Sequence, residues 1–330
     1  MQRNFFRLLL YVSCFPQLIA GPIVNYSDVA DEIACRETSA DDFGLGMRRF
    51  FIGLGKKVLL ANICGAALDS SLLAGGGEKL SVLGAWFTAV MYTFQLYYDF
   101  SAYSDMAIGL GQVLGFHYKE NFVYPYISRS PSEFWRRWHI SLGSFFRDYV
   151  YIPLGGNRKG RGRTVLNLFI VWALTGLWHG ASWNFVLWGL YWFALQQIDK
   201  AIPQRAQEKI PAIFRILVTF LCAVIGWVLF YYTDLSAAWT HLKALFGCDV
   251  SGFLPDADTT SAALEIILYL PVIFLAALPI VPRLKEKFGK SPRLQKAGDI
   301  CWTVFAAGVG ILSVLYLVGQ SFNPFIYFRF

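Results

Sequence analysis

The chain has 330 residues, of which 56% are hydrophobic, 17% aromatic and only 15% charged. Soluble globular domains carry about 25% charged residues, so the composition argues against a soluble protein and favours a membrane protein. The formal net charge is +7. Because the basic residues stand mostly in short segments between apolar stretches, we attribute this charge to the positive-inside pattern of membrane proteins and exclude nucleic-acid binding. The six cysteines are scattered without metal-binding spacing, so no metal site is predicted.

The apolar stretches predict an all-α, polytopic transmembrane protein in which residues 1–330 form a single domain. The first stretch, 5–20, is interrupted by Pro16 and Gln17, which favours a short or broken membrane segment over a signal peptide. The later candidates are 46–73, 80–100, a glycine-rich re-entrant stretch at 101–116, two apolar arms at 164–178 and 183–198, and spanning helices at 212–232, 263–282 and 299–319. Since a full crossing needs about 20 residues, about seven or eight membrane elements are expected.

The segment 117–163 differs from its neighbours because it is both aromatic and charged. It is too polar to span a bilayer, and aromatic residues interleaved with arginine are typical of the membrane interface. Three prolines cut it into short pieces. Ser130 followed by Pro131 predicts the start of a helix with proline in its first turn.

Basic loops predict the orientation of the chain in the membrane. The loops at 158–163, 205–215 and 283–296 should be cytoplasmic, because lysine and arginine are concentrated there. The acid-rich loop at 234–261 should lie on the outer side, and so should the tail at 321–330.

His179 stands out among the four histidines because of its surroundings. It lies between two apolar arms, at a predicted break marked by Gly176 and Gly180 and flanked by Trp178 and Trp183. An ionisable residue at membrane depth is costly, so a functional role is the default hypothesis. Burial favours the neutral imidazole, which can accept a proton from an alcohol, as general-base acyl transfer requires. A structural role, with the ring bonded to a backbone carbonyl at the break, fits the sequence equally well.

The other histidines carry weaker signals. His139 lies among aromatic residues and two arginines, where a structural hydrogen bond and a role beside His179 both remain open. His117 is interpreted as a loop residue and His241 as part of the outer loop, each with a structural role.

Three further clusters could carry chemistry. Asp99 and Asp105 are six positions apart in an apolar stretch and should bond nearby Ser, Tyr or Arg side chains. Arg147 and Asp148 should form an ion pair, locally or over a long range. The glycine-rich basic turn at 155–160 could bind phosphate groups of coenzyme A or of lipids. The turn lacks the Walker A pattern, and the chain has neither Gly-x-Ser-x-Gly nor HExxH, which argues against nucleotide hydrolysis, serine hydrolases and zincins.

Six motifs occur in a fixed order along the chain. They are FPQLIAGPI at 15–23, YDFSAYSDMAIG at 98–109, SEFWRRWHISL at 132–142, FRDYVYIPLGGN at 146–157, GLWHGASW at 176–183 and NPFIYF at 323–328. In combination they resemble the membrane-bound O-acyltransferase (MBOAT) family, specifically its alginate O-acetyltransferase-like bacterial polysaccharide subgroup.

The resemblance implies that His179 is the catalytic histidine and His139 a second active-site histidine. It implies a bacterial cytoplasmic (inner) membrane protein that holds no bound cofactor and takes acetyl-CoA or another acyl thioester from the cytoplasm. The acyl group would be delivered on the outer side to hydroxyls of an exported polysaccharide, directly or through an exported acetyltransferase partner. Membrane lipid is the other expected partner.

The motif at 15–23 begins nearer the N-terminus than is usual in this family, whose members carry several helices before it. We therefore expect the chain to lack those helices and part of the wall that they build. Within the enzyme class, D-alanyl transfer to teichoic acid is the competing function. Outside that class, the sequence is also compatible with a secondary transporter and with a non-catalytic membrane scaffold for a secreted acetyltransferase.

Overall fold

The computed structural model describes residues 3–18, 21–73, 79–288, 291–319 and 325, and in these residues every regular element is a helix. This confirms the predicted all-α class. The first half comprises α1 (Phe5–Ser13), α2 (Tyr26–Ala34), α3 (Ala40–Gly55), α4 (Asn62–Leu73), α5 (Val82–Val113), α6 (Pro131–Arg137) and α7 (Ile140–Phe146). The second half comprises α8 (Gly160–His179), α9 (Trp183–Ala201), α10 (Gln204–Glu208), α11 (Ala212–Tyr231), α12 (Leu235–Leu245), α13 (Ala257–Ile266), α14 (Leu270–Ala276), α15 (Ile280–Phe288) and α16 (Pro292–Val318).

Three helical segments in the described ranges are long and apolar enough to cross a membrane: Ala40–Leu72, Ala212–Tyr231 and Pro292–Val318. The first is α3 and α4 joined without interruption by the π-helical turn Lys56–Ala61. The bent pair α13 and α14 would make a fourth span. This number is below the seven or eight predicted elements, because Tyr, Trp, amide and charged residues interrupt the apolar character of α5, α8 and α9.

Helix α5 runs unbroken from Val82 to Val113, so the predicted division into a span at 80–100 and a re-entrant stretch at 101–116 is wrong. The glycines that suggested a break serve helix packing instead. A Cβ atom on Gly109 would lie 2.6 Å from the carbonyl oxygen of Gly46 in α3. Glycine at this position therefore lets the two helix backbones touch.

The predicted single spanning helix at 263–282 is also wrong. Helices α13 and α14 meet at an angle of 64°. Pro271 lies in the first turn of α14. Proline has no N–H to donate and its ring clashes with the preceding turn, so α13 cannot continue through it. The other segment boundaries agree better with the prediction: α11 matches 212–232, and Ser130 caps α6 with Pro131 in the first turn.

Helices α8 and α9 form the predicted hairpin, and their backbones are in direct contact. A Cβ atom on Gly176 would lie 2.4 Å from the carbonyl oxygen of Phe185, and one on Gly189 would lie 2.3 Å from that of Trp172. Gly176 is inside α8, so the predicted break is wrong at that position and begins only at Gly180. The hairpin thus places the last residue of α8 at its turn.

We expect Gly176→Ala to destabilise the protein by about 1–3 kcal/mol, because the new methyl group would overpack the contact with α9. Thermal unfolding in detergent measures this loss. Gly162→Ala is the matched control, since Gly162 is in the same helix and a Cβ atom there meets nothing within 4 Å. Equal melting temperatures for the two variants would contradict the proposed role of Gly176 in helix contact.

An aromatic core joins the short helix α6 and the residue after it to the hairpin and to α11. Phe134 of α6 stacks on Trp192 of α9 at a centroid distance of 5.0 Å. Trp138, which follows α6, packs against Trp227 of α11 at 4.8 Å. This agrees with the prediction that the aromatic segment does not span the membrane by itself. Residues of its short helices instead line a cavity.

Candidate active site

A cavity of about 140 Å³ lies where α5, α6, α8, α9 and α11 meet. Both histidines predicted to act in catalysis line it, and most of the other lining residues are aromatic. The lining residues are Leu96, Asp99, Phe100, Tyr103, Trp135, Trp138, His139, Trp178, His179, Trp188, Trp227, Phe230 and Phe325. Phe325 is the one described residue of the predicted C-terminal motif, and the rest of that motif and of the tail at 321–330 lies outside the described residues.

His179 is the last residue of α8 and points into a ring of aromatic side chains. Its imidazole meets Trp188 at 5.1 Å and 90°, and Phe230 at 5.0 Å and 85°, both edge-to-face. Over the described part of the chain no group hydrogen-bonds to this imidazole, so the structural role considered above, with a bond to a backbone carbonyl, is not observed there. Among the described residues, none therefore competes with a molecule in the cavity for a hydrogen bond to the ring nitrogens.

His139 occupies the N-cap position of α7 and is 3% exposed. Its φ angle of 46° is in the left-handed region, which is uncommon for residues other than glycine. The imidazole packs edge-to-face on Phe100 at 4.7 Å, and its Nδ1 lies 3.2 Å from Oδ1 of Asn121. Unlike His179, this histidine thus has a hydrogen-bonding partner on one side of its ring.

Trp178 brings the two histidines together. Its ring centroid is 4.9 Å from that of His179 and 6.2 Å from that of His139. Trp183, the other tryptophan expected beside His179, is 71% exposed and does not line the cavity. The two predicted site histidines therefore lie near each other, and one of the two predicted flanking tryptophans contacts both of them.

The two acids of α5 pair with cations of the α3–α4 segment. Asp99, in the cavity wall, forms a buried ion pair with Lys57. Asp105 pairs with Arg49 at 2.8 Å and with Lys56 at 2.6 Å. Asp105 thus has the arginine partner that the sequence suggested, whereas a lysine partner for Asp99 was not predicted.

His117 and His241 lie away from this cavity. Nδ1 of His117 lies 2.8 Å from a carboxylate oxygen of Glu32, and this hydrogen bond raises the pKa of the exposed His117 imidazole. The prediction that His241 belongs to a loop is wrong: it is in α12 and 4% exposed. Its Nε2 is 2.9 Å from the carbonyl oxygen of Ala85, and its Nδ1 is 2.9 Å from the hydroxyl of Tyr232. These bonds tie α12 to α5, in line with the structural role predicted for His241.

The glycine-rich basic turn has a defined backbone. Gly155, Gly156 and Gly160 have φ angles of 107°, 55° and 82°, and Asn167 of α8 donates to the carbonyl of Gly156 at 2.9 Å. Phosphate binding by this exposed turn stays a prediction. The predicted pair of Arg147 and Asp148 is present at the surface, with Nε and Oδ1 2.8 Å apart. Across the described residues, no three His, Cys, Asp or Glu side chains are grouped so as to hold a metal ion.

Several residues that line the cavity or contact its lining were not identified from the sequence. Trp188, Trp227 and Phe230 belong to α9 and α11, and only the packing of these helices brings them to His179. Asn121 is 18 positions before His139, and nothing in that spacing reveals their contact. The one available signal was a polar side chain in an aromatic segment.

Comparisons with known proteins agree with the geometry. A model of the MBOAT, membrane-bound O-acyltransferase family, matches residues 2–235, which include helices α1 to α11. A protein of Azotobacter vinelandii named probable alginate O-acetylase is 38% identical over 99% of this chain and 70% of its own length. A protein of the same name from Pseudomonas putida is 39% identical over 99% of this chain and 70% of its length. A peptidoglycan O-acetyltransferase of Helicobacter pylori is 33% identical over 99% of this chain and 65% of its length.

The family match covers both histidines and the helices that carry them, and the similarity to O-acetylases extends over nearly the whole chain. The sequence, the helical fold and the membrane-spanning segments all agree with that match. This chain is a multi-pass membrane O-acyltransferase and belongs to the membrane-bound O-acyltransferase family.

Proposed function

We propose that this enzyme transfers an acetyl group from a cytoplasmic thioester, such as acetyl-CoA, toward hydroxyl groups of an exported polysaccharide. Transfer is direct or passes through an exported acetyltransferase partner, and the enzyme resides in a bacterial inner membrane. The names of two relatives refer to alginate and that of a third to peptidoglycan, which share O-acetylation of a polysaccharide. The observation that carries the proposal is the pairing of two histidines in one aromatic cavity.

The size of the cavity supports a short acyl group. An engineered protein cavity of about 150 Å³ holds benzene, which has six heavy atoms. The cavity of about 140 Å³ observed here would accommodate a similar number. The acetyl group, the thioester sulfur and the attacking hydroxyl oxygen together have about five heavy atoms, so they would fit into a cavity of this size. A D-alanyl group is larger and carries a positive charge. The carboxylate of Asp99 could neutralise such a charge, but it is already paired with Lys57.

The proposed reaction uses His179 as the general base. Its imidazole accepts the proton of the acceptor hydroxyl as the oxygen attacks the thioester carbonyl. A new C–O bond forms and the C–S bond breaks, and the proton then passes from His179 to the leaving thiolate. His139 lies across Trp178 and positions the reacting groups. Because the aromatic walls limit water in the cavity, hydrogen bonds to the developing oxyanion are stronger than in bulk solvent.

Inverted membrane vesicles from cells that make both the chain and its polysaccharide would test the proposal. [¹⁴C]Acetyl-CoA is added outside, which corresponds to the cytoplasmic face, and alkali-labile label is counted on the enclosed polymer. We expect labelling with acetyl-CoA and none with a D-alanyl thioester. Labelling by the D-alanyl donor alone would favour transfer to teichoic acid. Passage of label without covalent attachment would favour a transporter, and either result would overturn the proposal.

A further inference from the structure

Asn121 holds the turn that carries His139. Its backbone carbonyl accepts the N–H of Ile140 at 3.0 Å, and its side-chain Oδ1 accepts the N–H of Ser141 at 3.1 Å. The first N–H groups of a helix have no partner within that helix, so Asn121 satisfies two of them at the start of α7. Asn121 is fully buried, at 0% exposed. The contact therefore fixes the entry to α7 from a distant point in the chain.

These contacts favour one orientation of the Asn121 amide, in which Nδ2 is buried without a hydrogen-bond partner among the described residues. A backbone N–H can only donate, so the amide atom facing Ser141 must be the oxygen. If the amide were flipped, its NH₂ group would point at that N–H and the hydrogen bond would be lost. The hydroxyl of Ser141 also donates to Oδ1, at 2.9 Å. Oδ1 is thus an acceptor surrounded by donors.

This orientation determines which nitrogen of His139 carries the proton. Nδ1 lies 3.2 Å from Oδ1 of Asn121, and a bare Nδ1 would set two lone pairs against each other. Nδ1 therefore bears the proton in the neutral ring, and Nε2 has the free lone pair. Oγ of Ser141 is 3.4 Å from Nδ1, but its own proton already goes to Oδ1. Asn121 rather than Ser141 is thus the group that orients the imidazole.

We propose that Asn121 is a positioning residue that holds His139 in its Nδ1–H tautomer, so that Nε2 is the atom presented to the substrate in the cavity. The contact of Nε2 with a substrate rests on the proposed function, whereas the tautomer itself does not depend on catalysis. With Nε2 unprotonated, His139 accepts a hydrogen bond from a hydroxyl of the bound substrate other than the one that gives its proton to His179. In the opposite tautomer it would donate at that point and could not hold the hydroxyl in the same way.

The strained backbone of His139 supports the same role. A left-handed φ angle in a residue other than glycine or asparagine is unfavourable and persists only where neighbouring groups enforce it. Asn121 enforces it by binding the two residues that follow His139. The contact thus fixes both the direction of the ring and its proton.

Nitrogen NMR of ¹⁵N-histidine-labelled protein in detergent tests the tautomer directly, because protonated and bare ring nitrogens resonate far apart. The chain has four histidines, and His139→Gln identifies the resonances of His139. We expect the Nδ1–H form in the wild type and a mixture of tautomers in Asn121→Leu. Ser141→Ala is the matched control and should keep the Nδ1–H form. An Nε2–H form in the wild type, or a shifted tautomer in Ser141→Ala, would overturn the proposal.

Asn121→Asp covers the case in which Asn121→Leu fails to fold, because it retains the acceptor oxygen. It should keep the Nδ1–H tautomer, and its carboxylate should favour the imidazolium and move the acidic limb of the activity–pH profile to higher pH. The other titratable groups that line the cavity, His179 of α8, Asp99 and Tyr103 of α5, are unchanged in this variant. In Asn121→Leu we expect kcat to fall by about 10–100-fold, the loss that is typical when a hydrogen-bonding partner that orients a metal-bound histidine is removed. If the pH profile of Asn121→Asp were identical to that of the wild type, Asn121 would act only as a cap of α7, and the proposal would be overturned. Because the NMR measurement needs no turnover, it separates failure of this inference from failure of the proposed function.

Discussion

Replacing His179 with alanine is expected to reduce acyl transfer by about 10²–10⁴-fold, the usual contribution of a general base. The imidazole is surrounded by aromatic rings, and within the described chain it has no hydrogen bond that would hold the fold together. The protein should therefore remain in the membrane at its normal level. Acetate released from the polymer by mild alkali, divided by the amount of enzyme on an immunoblot, measures the loss.

His117→Ala is the matched control for this experiment. It removes an imidazole of the same kind from an exposed position beside Glu32, away from the cavity. We expect acetylation close to that of the wild type. Full activity in the His179 variant would exclude its assignment as the base and would favour a scaffold that acts only through its partner.

The helical class could be predicted, and so could the fact that the aromatic segment does not span the membrane by itself, because both depend on local composition. The continuity of α5 could not be predicted, since a glycine within a helix and a glycine at a break look the same in the local sequence. The packing role of Gly109 depends on its contact with the backbone of Gly46, a residue far away in the sequence. The bend at Pro271 is predictable from the sequence in principle, because proline interrupts helices through local geometry. The apolar length of 263–282 nevertheless predicts one straight helix, which is wrong.

The candidate site shows the same contrast. His179 and His139 could be singled out by their unusual surroundings and by the motif resemblance. The structure adds that one cavity contains both, and that Trp178 lies against both rings. The contact of Asn121 with His139 and the pairing of Lys57 with Asp99 depend on long-range packing. Single-sequence patterns carry no information about such contacts, so these groups were found only in the folded chain.

The Lys57–Asp99 pair has the largest expected effect on stability. Lys57 is in the π-helical turn Lys56–Ala61, and both side chains of the pair are buried, at 8% and 4% exposed. Removal of one member of a buried ion pair takes the opposite charge away from the other member and costs about 3–5 kcal/mol. We therefore expect Lys57→Met to lower the melting temperature in detergent sharply. It should also lower activity, because Asp99 is part of the cavity wall.

Lys56→Met is the matched control, one residue away in the same turn. Its partner Asp105 would still be bound by Arg49 at 2.8 Å, so a much smaller loss of stability is expected. The double variant Lys57→Met/Asp99→Leu should recover part of the stability, because an apolar pair carries no desolvation penalty. If Lys57→Met and Lys56→Met lowered the melting temperature equally, burial would not be what makes this pair important. If the double variant also regained acyl transfer, the pair would act only as a support of the cavity wall. A stable but inactive double variant would instead indicate that the reaction needs the charge of Asp99.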